Sequence, residues 1–317
     1  MEPRRYMSIH NPLMSQPLWR ENMEFSAMSE GRSGSRHAPR GIGMSLFRPG
    51  QSVNLPPLTL DLVTGREIFL APAVPVHVNP ARVWDSLGPV QLSVDHLLGN
   101  GLFPQPSTEP AAAAFDQLRS KILHGLAQKG WRRIAITSPT HGCGKSFVAA
   151  NLALSLARRP SSRTALLDLD LRRPHLAKLL GIADAPELAE FLTGEQPMES
   201  IFRRFGRTLA LGVNGAPVEM AAELLHSPDT LAAMSALVEQ LDPEVVICDM
   251  PPALGTDDVL AMAPALDAVL LVVDGTQSTP DDIRACERLF EGRLPLLGVV
   301  LNRAQERAAS RHAYGKE

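Results

Sequence analysis

From Pro110 onward, short apolar runs alternate with helix-like patterns. Phe115, Leu118, Ile122 and Leu126 recur at spacings of three and four within Ala111–Ala127, which predicts one buried helical face. Val148, Leu152 and Leu156 recur every fourth residue within Phe147–Arg158 and predict a second helix. Six runs read as strands: Ile134–Thr137, Thr164–Leu167, Thr208–Val213, Val245–Cys248, Ala268–Val273 and Leu296–Leu301. Most are apolar almost throughout, as strands covered on both faces must be. Strand and helix in alternation form right-handed βαβ units, so the pattern predicts an α/β fold: a mostly parallel sheet with helices on both faces. No internal repeat is visible.

Residues 1 to about 108 have a different texture. They hold about half of the 27 prolines, a polar stretch from Ser29 to Arg40, and only brief apolar bursts. Such a composition buries too little apolar surface to offset the entropy of ordering, so residues 1–108 are expected to be a low-order, proline-rich region. Within it Trp84, Leu87, Val90, Leu92, Val94 and Leu97 are apolar enough to dock on the main domain; functionally they suit either a docking tail or a spacer, and the spacer is the preferred reading. The expected organisation is therefore a 1–108 leader, a 109–305 domain and a flexible 306–317 tail.

Composition narrows the function. A hydrophobic fraction of 44% supports a real core, and a formal net charge of −3 argues against nucleic acid as the main partner. Cys143, Cys248 and Cys286 show neither metal-ligand spacing nor a pairing pattern, which suits a reducing compartment. No apolar run approaches the roughly 20 residues that span a bilayer, and the N-terminus lacks a signal-peptide core. The expected location is the cytoplasm, with any membrane recruitment through a separate partner.

The chemistry concentrates in three places. After the strand at Ile134 comes Ser138-Pro-Thr-His-Gly-Cys-Gly-Lys-Ser146 and then a helix, the context of a P-loop. Gly142 and Gly144 let the backbone turn so that amide groups face phosphate oxygens, and the helix start adds its positive dipole end. Lys145 supplies charge to the β- and γ-phosphates of ATP, and the Ser146 hydroxyl suits Mg²⁺. The nucleotide-contacting set is expected to be Thr140, His141, Gly142, Cys143, Gly144, Lys145, Ser146 and Phe147, with the His141 side chain incidental. Pro139 stands where the general pattern has its first glycine.

The second place is Ala165-Leu-Leu-Asp168-Leu-Asp170-Leu-Arg172-Arg-Pro174. Residues two apart in an extended chain face the same way, so Asp168 and Asp170 can project together at the strand's carboxyl end, where α/β sheets bind ligands. They are candidates for holding Mg²⁺ or taking a proton. The third is Val245-Val-Ile-Cys-Asp249-Met-Pro-Pro252, an apolar strand ending in a Walker B carboxylate that would hold Mg²⁺ through water. Leu296–Leu301 ends in Asn302 and Arg303, where the amide could read the adenine edge.

This order of motifs resembles the bacterial tyrosine kinase family of capsule and exopolysaccharide assembly, relatives of the chromosome-partition and septum-site ATPases. The resemblance runs from about Asn100 to Gln305 and includes Ala222-Glu-Leu-Leu225. It implies that Lys145 and Ser146 bind ATP with Mg²⁺, that Asp168 and Asp170 serve metal and base roles, and that Asp249 is the Walker B acid. It also implies a homo-oligomer and a membrane chain-length (co-polymerase) protein as partner. The partition ATPases carry a signature lysine five residues before the catalytic one. Thr140 stands there, which favours the kinase branch. Two features depart from the family. Only Tyr314 remains where the tail should be tyrosine-rich, and Ala113–Arg119 keeps only the last arginine of the oligomerising Glu/Arg motif. Three readings stay open: a kinase-like ATPase, a partition-type ATPase that positions cargo by nucleotide-gated dimerisation, and a non-enzymatic nucleotide-bound scaffold.

Overall fold

The computed structural model describes residues 79–304 and three short strands before them, β1 (Tyr6–His10), β2 (Leu58–Leu60) and β3 (Glu67–Phe69). The chain divides into two units. One contains β2 and β3, an antiparallel pair with Leu58 opposite Phe69. The other contains β1 and residues 79–304, and it carries every described element of interest below.

In chain order this unit continues with α1 (Pro80–Ser86), β4 (Gly88–Pro89), α2 (Val94–Gly99), α3 (Pro110–Lys129), β5 (Arg133–Thr137), α4 (Lys145–Ala157) and β6 (Thr164–Asp168). Then come α5 (Leu176–Leu180), α6 (Leu188–Leu192), α7 (Met198–Ile201), β7 (Arg203–Phe205), β8 (Leu209–Gly212), α8 (Ala221–His226) and α9 (Pro228–Leu241). β9 (Val245–Asp249), α10 (Asp258–Ala261), β10 (Ala268–Asp274), α11 (Pro280–Phe290) and β11 (Leu296–Ala304) complete it. Among the described residues one sheet orders these strands β1-β11-β10-β5-β9-β6-β8-β7-β4. The six from β11 to β8 run parallel, while β1 and β7 add antiparallel neighbours at the two ends. All six strands expected from the apolar runs are present, in an α/β sheet that is mostly parallel.

Successive side chains of a strand point to opposite faces, and the core divides accordingly. Ile134, Ile136, Leu166, Val245 and Ile247 join a cluster with α2, α3, α4 and α5. Ala135, Ala165, Leu167, Val246 and Cys248 join another with α1, α6, α7, α8, α9, α10 and α11. α3 shows why these segments are helices. Pro110 is preorganised for the first turn, Phe115, Leu118, Ile122 and Leu126 bury one stripe, and Gly130 closes the helix at φ 67°.

The folded body starts earlier than the expected boundary at 108. Trp84, Leu87, Leu97 and Leu102 are fully buried, and the Trp84 indole donates to the Leu241 carbonyl at 2.6 Å. Residues 79–108 are thus packed structure and not a spacer. Averaging over 108 proline-rich residues hid about thirty with enough apolar side chains to repay their ordering. The remainder of the expected leader, apart from the three short strands, and the 306–317 tail with Tyr314 lie outside the described residues.

Candidate functional site

The sheet itself assembles the site. β6 and β9 are parallel neighbours in register, so Asp168 and Asp249 end their strands side by side. β5 lies on the other flank of β9 and feeds the loop Ser138–Gly144 into α4. Gly142 and Gly144 take φ of 82° and 89°, backbone that favours glycine. A Cβ on Gly144 would also lie 2.2 Å from Asn302 Nδ2, so the loop can close there only without a side chain. Pro139 is accommodated: its carbonyl and that of Ser138 accept from Leu254 and Ala253, which ties the loop to the segment after β9.

Lys145 and Ser146 open α4, a helix of 13 residues, and are both buried. The Lys145 ammonium lies 2.6 Å from Asp170 Oδ2 and 3.7 Å from Asp249 Oδ1. Burial works against its charge, but Asp249 and Asp170 outweigh that and hold its pKa above the usual lysine value. Asp168 uses Oδ2 to accept from the His175 and Leu176 amides at 3.1 and 3.0 Å, securing the start of α5. Its Oδ1 and both oxygens of Asp249 are buried without a hydrogen-bond partner. Burial pushes both carboxyls up: Asp249 to about 6, and Asp168 well above the ordinary range with the neighbouring Asp249 charge adding to it.

One ammonium therefore faces three buried carboxylates, three of whose oxygens are unsatisfied. Orphaned buried acceptors are costly, and a hard cation would satisfy them. A P-loop Mg²⁺ uses few protein oxygens and completes its shell with phosphate and water. Ser146, Asp168 and Asp249 are the side chains here that would supply such oxygens. Among the described residues no group of three or more His, Cys, Asp and Glu forms a dedicated metal cage.

Other expected contacts are arranged differently. Asn302 is engaged with the loop: Nδ2 donates to the Cys143 carbonyl at 2.9 Å, and Oδ1 accepts from the Arg303 backbone at 3.0 Å. Arg303 Nη1 donates to the Gly142 carbonyl at 2.8 Å. Both residues brace the loop from behind. The Phe147 ring packs edge-on against Phe115 at 5.7 Å, on the α3 side, so only its backbone belongs to the helix start. Thr140, His141 and Gly142 are exposed at the loop mouth, whereas Cys143 is buried with Sγ 3.3 Å from the Thr140 carbonyl. Arg119, the surviving arginine of the α3 motif, is turned inward onto Ser155 O and Oγ at 2.9 and 3.0 Å.

Two acids of this region escaped the sequence reading. Asp258 is buried and takes both hydrogen bonds of an Arg172 fork, at 2.9 and 3.2 Å, joining the loop after β6 to the loop after β9. Asp274 ends β10 and accepts from Arg303 at 2.5 Å. Asp274 closes an apolar strand just as Asp168 and Asp249 do, and that repeated position was the available signal.

The comparisons with known proteins agree with this architecture. A ParA model, described as the NUBPL iron-transfer P-loop NTPase, matches residues 131–313, more than half of the chain. The putative tyrosine-protein kinase EpsB of Ralstonia solanacearum is 31% identical over 209 residues, covering 65% of this chain and 27% of that protein. The succinoglycan biosynthesis transport protein ExoP of Rhizobium meliloti is 32% identical over 212 residues, covering 60% and 26%. The chain thus spans about a quarter of the length of these curated relatives. The solved BceF tyrosine kinase domain superposes with a TM-score of 0.56 at 25% identity, covering 71% of this chain and 97% of that one. With the phosphate loop, the strand-end acids and the parallel sheet all in the matched segment, the chain belongs to the ParA family of P-loop NTPases and has tyrosine-protein kinases among its relatives.

Proposed function

We propose that this protein is a tyrosine-kinase-like P-loop ATPase that regulates exopolysaccharide or capsule polymerisation or export, acting with a separate membrane chain-length protein. The observation that carries the ATPase reading is the buried set of Lys145, Asp168, Asp170 and Asp249 at the ends of β5, β6 and β9, with three carboxylate oxygens left unsatisfied. The biological setting is supported by the names of EpsB and ExoP, a tyrosine-protein kinase and a succinoglycan transport protein.

In this reading the glycine turns and the start of α4 receive the phosphates of ATP, and Lys145 leaves Asp170 to neutralise them. Ser146 and Asp249, with Asp168 nearby, would hold Mg²⁺, which when bound neutralises charge on the phosphates. Asp170, released from Lys145, is then free at the strand ends, placed to take a proton from an attacking hydroxyl. Among the described residues no helix is long and apolar enough to cross a membrane, and recruitment through the membrane partner's cytoplasmic tail fits that. Arg119 is committed within its own chain, which favours activation by the partner over self-assembly into a homo-oligomer.

Radiolabelled ATP tests the proposal. The expected result is Mg²⁺-dependent turnover with phosphotyrosine formation, stimulated by the partner's tail. Phosphate release without phosphotyrosine, accompanied by cargo-dependent dimerisation, would favour the partition-type reading to which the family model also points. The iron-transfer description gains no support from the thiols: Cys143, Cys248 and Cys286 are free, buried and on separate elements.

A further inference from the structure

Asp274, Asn302 and Arg303 stand outside the phosphate chemistry just described, yet all three are tied to the loop that performs it. β10 and β11 pair in parallel with Asp274 beside Asn302, and Gly275 N–H donates to the Asn302 carbonyl at 2.8 Å. At the next position Arg303 takes φ of 53°, left-handed backbone that is strained for any residue with a Cβ. From there its Nη1 reaches both the Gly142 carbonyl at 2.8 Å and Asp274 Oδ2 at 2.5 Å. Asp274 is 1% exposed, and its Oδ1 accepts from the Thr276 N–H and hydroxyl at 2.8 and 2.6 Å, so the carboxylate cannot swing away. Asn302 holds the next loop carbonyl, that of Cys143.

Two consecutive carbonyls are therefore pinned to the strand ends. In a trans peptide the C=O and the following N–H point in opposite directions. Fixing the Gly142 carbonyl turns the Cys143 N–H away from β10 and β11, and fixing the Cys143 carbonyl does the same for the Gly144 N–H. Those are the donors that a phosphate cradle needs. We propose that Arg303, anchored by Asp274, is a positioning residue that with Asn302 presets the Cys143 and Gly144 amides for phosphate. This rests on the nucleotide-binding reading above, and it assigns to Arg303 and Asp274 the work of setting the loop's backbone through its carbonyls.

The test uses the full chain with Arg303→Ala, Arg303→Lys and Asp274→Asn, measuring ATP–Mg²⁺ binding by calorimetry and amide exchange at Cys143 and Gly144 by NMR. Arg303→Ala is expected to weaken binding by about tenfold or more, the scale of a lost charge-assisted hydrogen bond, and to speed exchange at both amides in the free protein. Asp274→Asn should move both readouts in the same direction by less, and the lysine should restore part of the loss. Unchanged exchange at both amides in Arg303→Ala and Asp274→Asn would overturn the proposal, as would affinities within twofold of the parent. If the parent chain binds no nucleotide, the functional reading falls, and the exchange rates of the free protein still decide the brace.

Discussion

The ammonium of Lys145 is 2.6 Å from Asp170 Oδ2, so the charge that phosphate requires is already held by a carboxylate on the neighbouring loop. Nucleotide has to compete with that pair. Lys145→Ala should weaken ATP binding by roughly ten- to a hundredfold, the cost of a charged hydrogen bond. Asp170→Asn should act in the opposite sense on affinity, tightening binding a few-fold because the competitor is gone, while turnover falls. Calorimetry beside single-turnover kinetics separates the two effects. Equal weakening by both variants would show that Asp170 assists binding and does not compete with it.

Stability and pH should be linked through Asp249, whose carboxyl burial raises from 3.8 to about 6. Between those values the folded state holds a proton that the unfolded chain has released. Stability contributed by this group is therefore present below about pH 4 and lost as pH rises through about 6. The loss is on the order of 3 kcal/mol, and Asp249→Asn should remove that part of the slope. Mg²⁺ with ATP favours the ionised form, so the rise in Tm that it produces should grow from about pH 5 to about pH 7. A pH-independent ligand shift in Tm would take Asp249 out of the metal site.

Some of this was legible in the sequence and some was not, for physical reasons. β5, β6, β9 and β10 are buried on both faces, so the residues between their ends had to be apolar and the runs announced themselves. Asp168, Asp170 and Asp249 stood out because a carboxylate directly after such a run has no core to join. Asn302 was visible for the same reason, but its bond to the loop was not. Whether a strand-end amide meets a base or a loop carbonyl depends on how β11 sits beside the P-loop, a contact across 159 positions of sequence. Asp258 lies in a polar stretch, Gly255-Thr-Asp-Asp258, where nothing distinguishes the acid that becomes buried from the one beside it.

Arg172 and Asp258 should behave as one unit. Asp258 is 1% exposed and the Arg172 side chain 44%, so the pair is half sheltered. Arg172→Ala leaves a buried carboxylate without its fork and should cost about 1–2 kcal/mol, discounted for the solvent around the guanidinium. The double variant Arg172→Ala with Asp258→Ala should cost less than the sum of the singles, because the uncompensated charge is gone. Urea midpoints on all four proteins give the coupling energy. Turnover should fall in every variant, since the loop carrying Asp170 loses its link to the segment that follows Asp249. Additive stabilities with full turnover would reduce the pair to a surface contact.

The segment ahead of α3 provides the last test, because it decides where the folded body begins. Trp84 is 2% exposed, its Nε1 donates to the Leu241 carbonyl at 2.6 Å, and the Arg163 guanidinium lies 5.4 Å from its ring. It plugs the cluster formed by α9 and the β9 side of the sheet. Trp84→Ala should cost about 3–5 kcal/mol, the range for emptying a large aromatic from a core. Trp84→Phe retains much of the buried area but leaves the Leu241 carbonyl unpartnered, and should cost about 1–3 kcal/mol. A chain that starts at 109 loses Trp84, Leu87, Leu97 and Leu102 together, exposing both faces of the core at once. It should melt well below the parent and lose ATP binding on heating before the parent does. A chain that starts at 79 keeps this segment and lacks only the β1 edge strand of the main sheet, so it should melt well above the 109 chain, which calorimetric scans of the three chains measure directly. Should the 109 chain match it, the segment would be a dispensable appendage after all, and the ordinary domain would begin at α3.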